Sequence, residues 1–146
     1  MNDGEKNATG IKLSYLLPLL IIVIYTVWQL YAGGGHSITT EVDDTQIGLA
    51  VDRYEAVFIP LKEVLEMSLV ETLDDWNVEK ENSEKGFLYG NYSNEEHGDV
   101  WLSVWLSKPP FIVVQTEDMT YIYNHPSVKE TNKDYAAIME ALSKIA

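Results

Sequence analysis

From Leu13 to Ala32 the chain reads LSYLLPLLIIVIYTVWQLYA, twenty residues without a charged side chain. As a helix this stretch rises about 30 Å, the thickness of a bilayer's hydrocarbon core. Tyr15 lies near one end and Trp28 and Tyr31 near the other, where amphipathic rings favour the membrane interface. Pro18 falls in the first turns, whose N–H groups lack intrahelical partners in any case. A buried core helix is one competing reading, but a chain of 146 residues leaves too little protein to surround it. A cleaved signal peptide is the other, with Lys6 and Lys12 as a modest basic region and Leu30-Tyr31-Ala32 before a candidate cut. The large Leu30 at the −3 site, and an apolar run longer than the usual run of about 7–15 residues, favour a retained anchor.

Flanking charge orients such an anchor. Lys6 and Lys12 precede the stretch, and no Lys or Arg follows it until Arg53. The positive-inside rule then places residues 1–12 in the cytoplasm and the rest of the chain outside it. Asp3 and Glu5 balance the two lysines, so the whole net charge of -13 belongs to the remainder, with 8 basic (10 − 2) against 21 acidic (23 − 2) residues. That balance argues against nucleic acid and against docking on anionic lipid headgroups, both of which need clustered Lys and Arg. With 0 Cys, disulfides, thiolate metal sites, cysteine nucleophiles and lipid anchors on Cys are excluded.

Gly33-Gly34-Gly35 ends the apolar stretch and opens an acidic linker over 33–44, which reaches at most about 40 Å and so holds a domain at 45–146 close to the bilayer. Inside that domain the hydrophobic period becomes two. Ile47, Leu49 and Val51 alternate with polar or small residues, and 56–59 form a short second strand ended by Pro60. Leu61 to Val64 read as one helical turn, and Leu65, Met67 and Leu69 as a third strand. Residues 74–85 are acidic and read as a loop, 86–92 as a strand with Gly90 at a bulge or close approach. Val100, Leu102, Val104 and Leu106 alternate with Trp101, Ser103, Trp105 and Ser107 in the clearest strand of the chain. Pro109-Pro110 turn into a strand at 111–116, and a last one runs over 119–124. Tyr135, Ile138, Met139, Leu142 and Ile145 then repeat at helical spacing, with Thr131 and Asp134 as a variant capping box. The expected domain is seven or so strands in a small antiparallel sheet, closed by one amphipathic C-terminal helix.

The stretch 45–146 resembles the bacterial pleckstrin-homology-like domains of small membrane proteins. The resemblance rests on Ile47-Gly48-Leu49, on Phe58-Ile59-Pro60-Leu61 with Val64, and on Gly86, Gly90 and Gly98. It rests above all on Lys108-Pro109-Pro110-Phe111-Ile112-Val113-Val114-Gln115-Thr116 followed by Thr120-Tyr121-Ile122-Tyr123-Asn124, and on Glu130-Thr131 with the final helix. The resemblance implies a bent antiparallel sheet or partly open barrel capped by the helix, and a bacterial plasma-membrane protein. It also implies a binding or assembly module without catalytic activity or cofactor. The loop Asp52-Arg53-Tyr54-Glu55 is net negative, where lipid-binding relatives need a basic one, so phosphoinositide headgroups are not an expected ligand. The expected partner is another membrane protein or a second copy of the chain.

Two constellations qualify as sites. If the aliphatic set Val100, Leu102, Val104 and Leu106 faces the core, Trp101 and Trp105 point outward as an aromatic ridge, a mark of protein contact. If the strand is covered on both faces, the same rings are core. The second constellation is Glu95-Glu96-His97-Gly98-Asp99, where Glu95, Glu96, His97 and Asp99 bring three carboxylates and an imidazole within five residues. It reads as an acidic solvated turn, with a divalent-cation site of a membrane-anchored metal-dependent sensor or hydrolase as the alternative. Glu41, Asp43 and Asp44 face the same choice, and keep the linker extended on the first reading. No serine has a nucleophile-elbow context, and the triple glycine lacks the strand before it and the Lys after it that a phosphate loop requires.

Overall fold

A computed structural model describes residues 18, 20–27, 36–52, 55–80 and 83–146. The chain divides into two units, Met1–Gly35 and His36–Ala146. In the first, residues 20–27 are helical, and the Thr26 hydroxyl donates to the Ile22 carbonyl at 2.7 Å, one turn back. Leu20 to Tyr25 are all largely exposed, Leu20 at 55% and Ile22 at 62%. Among the described residues no helix is long and apolar enough to cross a membrane. The expected anchor over 13–32 extends past them: 13–17, 19 and 28–32 lie outside the described residues, as do the tail 1–12 and Gly33 to Gly35.

The second unit is mainly β. Among the described residues eight strands form two sheets, without a closed barrel. The smaller sheet is the meander β1 (Ile38–Val42), β2 (Gln46–Val51) and β3 (Glu55–Pro60). The larger holds β4 (Glu66–Val70), β5 (Phe87–Asn94), β6 (Gly98–Trp105), β7 (Phe111–Gln115) and β8 (Thr120–Tyr123), in the spatial order β4-β7-β8-β6-β5. One amphipathic helix, α1 (Val128–Ile145), completes the unit.

Three features depart from the sequence reading. Ile38–Val42 is a strand where the linker 33–44 was expected, because Ile38, Thr39, Thr40 and Val42 are β-branched and Ile38 and Val42 pack against the core. The larger sheet is not wholly antiparallel. β6 and β8 run parallel, Val100 opposite Thr120 and Ser103 opposite Tyr123, so β7 lies outside β8 and the five residues 106–110 carry the chain across the end of β8. And α1 starts at Val128, three residues before the expected Thr131, so Thr131 sits inside its first turn and caps nothing. The residues 128–130 carry no apolar stripe, which is why the periodicity begins later than the helix.

Gly90 keeps its register opposite Leu102 and makes no bulge. Its φ of 142° lies where side chains are strained, while an added Cβ would meet only the Tyr92 ring at an ordinary 3.7 Å. Backbone conformation, not close approach, selects glycine there.

The larger sheet is covered on both faces. On one face Trp101, Ile112, Val114 and Tyr123 meet Ile47, Leu49 and Val51 of the smaller sheet and Ile138 and Ala141 of α1. On the other, Leu88, Val100, Leu102, Val104, Val113 and Ile122 are covered by Leu73, just before the acidic stretch, and by Trp76 and Val78 within it. That stretch is fastened to the β5–β6 turn: the His97 ring packs on Trp76 at 4.5 Å and its Nε2 bonds the Asp75 carbonyl.

Candidate functional site

Double coverage of the sheet decides the fate of the two tryptophans. Trp101 is 1% exposed, and its indole N–H donates to Glu55 Oε1 at 2.8 Å. Its ring meets Tyr89 edge-on and Tyr121 at a tilt, each 6.1 Å away. Trp105 is half-buried against Phe87, whose own ring stacks on His36 at 4.2 Å. The expectation of an outward aromatic ridge is therefore corrected. Trp101 is core, and Trp105 is part of an aromatic line inside the domain. The reason is Leu73, Trp76 and Val78, three apolar residues in an otherwise polar stretch, which cover the aliphatic face and leave the tryptophan face to the smaller sheet.

The acidic turn does not gather into a metal site. Glu95, Glu96 and Asp99 are exposed, and His97 is directed to Asp75 and Trp76. Among the described residues no three His, Asp or Glu side chains are placed to hold a metal ion. Asp43, from the other acidic segment, closes a local turn instead. It accepts the Thr45 hydroxyl at 2.7 Å and the N–H groups of Thr45 and Gln46 at 2.6 and 2.8 Å, which together hold its carboxyl below the usual range.

The buried polar groups at the crossover are structural. Asn124 is fully buried. Its Oδ1 accepts the Trp105 N–H at 2.8 Å, and its Nδ2 donates to the carbonyls of Trp105 at 3.1 Å and Lys108 at 2.7 Å. One side chain thus extends the β6–β8 ladder past its last pair and clasps the Lys108-Pro109-Pro110 turn. Next to it, His125 Nε2 lies 2.5 Å from Asp134 Oδ2 and 3.5 Å from Thr40 Oγ1, while its backbone N–H donates to Thr131 Oγ1 at 2.9 Å. These bonds tie the start of α1 to β8 and β1. Tyr123 lies under this group, where burial, followed by the Asp134 charge, pushes its hydroxyl far above the ordinary phenol range. The Ser103 hydroxyl is buried and has no hydrogen-bond partner among the described residues.

A concave surface lies between α1 and the segment leading into β4. It is a groove of about 1080 Å³. Leu61, Val64, Leu65 and Met67 line one side, Met139, Leu142 and Ile145 the other. The apolar stripe of α1 is wider than the face it buries: Thr131, Ile138 and Ala141 are covered, while Met139 and Ile145 remain 45% and 48% exposed. Across the groove Leu65 is 73% exposed. The strand expected from Leu65 begins one residue later, at Glu66, and of the alternating set Leu65, Met67 and Leu69 only Met67 is half-buried. The rim is acidic. Asp44, Glu66 and Lys62 line it, and Lys144 is drawn to Asp44 and Glu140 at 3.8 and 3.4 Å.

Neither the groove nor Asn124 stood out in the sequence. The available signals were the apolar pair Val64-Leu65 before a strand, an over-wide helical stripe, and a lone amide closing an apolar strand. No family model, no curated protein and no solved structure matches the chain.

Proposed function

We propose that this chain is a membrane-anchored protein whose mainly-β domain binds another protein through the groove between α1 and β4. The observation that carries the reading is the apolar groove itself. It gathers Leu65, Met139 and Ile145 into one concavity while all three stay largely exposed, whereas the other exposed apolar side chains of the domain, Phe58, Leu69 and Val128, lie outside it. Such a patch, rimmed by charge, is what protein-binding surfaces present. The uncharged stretch 13–32 is the anchor on this reading, with residues 1–12 cytoplasmic and the domain extracytoplasmic. The pleckstrin-homology-like resemblance points the same way, to recognition and assembly in place of catalysis. The parallel β6–β8 pair is the point at which this domain departs from the wholly antiparallel sheet that the resemblance implies.

The partner on this reading is another membrane protein, since an anchored domain meets its neighbours in the same bilayer. Anionic lipid is not the ligand: a net charge of -13 is repelled from such a surface within a Debye length of about 8 Å. The test is recovery of partners from detergent-solubilised native membranes with the tagged full-length chain, beside Leu65→Asp and Met139→Asp. Both side chains are exposed, so the variants keep the fold. A partner recovered by the parent and lost with both variants supports the proposal. Identical recovery with all three overturns it.

A further inference from the structure

We infer that the groove takes an extended, cationic segment of a partner protein, added as a further strand along the free edge of β4; this rests on the protein-binding reading above. The order β4-β7-β8-β6-β5 leaves β4 paired on one side only, and among the described residues no strand lies on its other side. An unpaired edge offers a row of backbone N–H and C=O groups, which proteins usually blunt with Lys, Pro or a bulge. β4 has none of these. Its sequence is Glu-Met-Ser-Leu-Val, and its register runs unbroken from Glu66 opposite Gln115 to Val70 opposite Phe111. Glu66 and Met67, the first two residues of this edge, also line the groove. A strand added here sets its backbone on β4 and alternate side chains against Leu65 and Met139, the geometry of β-strand addition.

Charge selects the occupant. Asp44, Lys62 and Glu66 line the groove, and Lys144 is drawn to Asp44 and Glu140, so three carboxylates stand there against two ammonium groups. The domain as a whole sets 8 basic against 21 acidic residues and adds a negative field in the same sense. A second copy of the chain would bring -13 against -13. A segment alternating apolar residues with Lys or Arg satisfies the edge, the groove and the rim together.

The experiment uses the full-length chain in neutral detergent micelles and fluorescein-labelled nonapeptides read by anisotropy. One peptide alternates Val with Lys, a second alternates Val with Glu, and a third carries Pro at the centre of the Val–Lys sequence. The Val–Lys peptide binds and weakens with added salt, and the Val–Glu peptide does not bind. The central Pro, which removes a ladder donor, weakens binding roughly tenfold. The combined variant Asp44→Lys/Glu66→Lys, at two exposed positions, weakens the Val–Lys peptide roughly tenfold and gains the Val–Glu peptide. Failure of the Val–Lys peptide to bind overturns the inference, as does indifference to the central Pro or to the charge reversal. The protein-binding reading fails separately, by unchanged partner recovery with Leu65→Asp and Met139→Asp.

Discussion

Asn124→Ala removes one buried side chain and strands three backbone groups. The Trp105 N–H, the Trp105 carbonyl and the Lys108 carbonyl all lose the partner that bridges β6 to the turn after it. A buried polar group left unpaired costs about 1–3 kcal/mol. Lys108 is exposed, so water replaces the lost bond at its carbonyl, while Trp105 is half-buried and its two groups are rewetted less well. Counting those two at the lower and middle parts of the range gives a loss of about 2–4 kcal/mol, a large fraction of a small domain's stability. The matched variant Asn124→Asp keeps the acceptor for Trp105 N–H but turns the Nδ2 donor into an oxygen facing two carbonyls. Its charged form is repelled there, so the folded-state pKa rises above the unfolded value of about 3.9. The sign follows: the variant is most stable below that unfolded pKa and loses stability as pH rises through the raised folded one. Urea unfolding of the full-length chain in detergent, followed by tryptophan fluorescence at several pH values, reads both effects. A loss below about 1 kcal/mol for Asn124→Ala, or a parent-like pH profile for Asn124→Asp, would refute the bridging role.

Trp101→Ala should cost about 3–5 kcal/mol in the same assay, since the ring is buried and hydrogen-bonded to Glu55; a variant as stable as the parent would return that ring to the surface. Asp52 is pushed up by burial, but the Ser37 hydroxyl and N–H and the His36 ring outweigh this and hold its carboxyl below the usual range. Asp52→Asn, which still tolerates the positive φ of 45° at that position, should therefore be less stable than the parent at neutral pH. That deficit should shrink as pH falls through the depressed Asp52 pKa, and a deficit constant with pH would contradict the assignment. Ser83→Cys, in a chain with 0 Cys, should react with a membrane-impermeant maleimide on intact cells if the domain is extracytoplasmic; labelling only after lysis would reverse the orientation.

Local pattern carried much of the fold. Alternation marked β2 and β6, the pair Pro109-Pro110 separated β6 from β7, and the stripe from Tyr135 to Ile145 located α1. What local pattern does not encode is which strands become neighbours. The parallel β6–β8 pair depends on a crossover held by Asn124, whose partners lie 16 and 19 residues away. β1 was hidden because five residues between a triple glycine and an acidic pair have the composition of a linker. The tryptophans were ambiguous because a strand with apolar residues on both faces has no polar side to mark the surface. Trp76 and Val78 settled it from inside a segment whose acidity reads as loop. The groove was hidden for a similar reason: Leu65 and Met139 stand 74 residues apart (139 − 65), and only the packed helix makes them face one space.

On the proposed function, the groove between α1 and β4 is a protein-binding surface. Its most direct test is photocrosslinking in living cells from a benzophenone amino acid at position 65, compared with the same probe at Ser93 on the opposite edge strand β5. A discrete crosslinked adduct is expected from position 65, lost when Met139→Asp is added on the facing wall, and none from position 93. Adducts of equal yield from both positions, or an adduct at 65 that survives Met139→Asp, would contradict it.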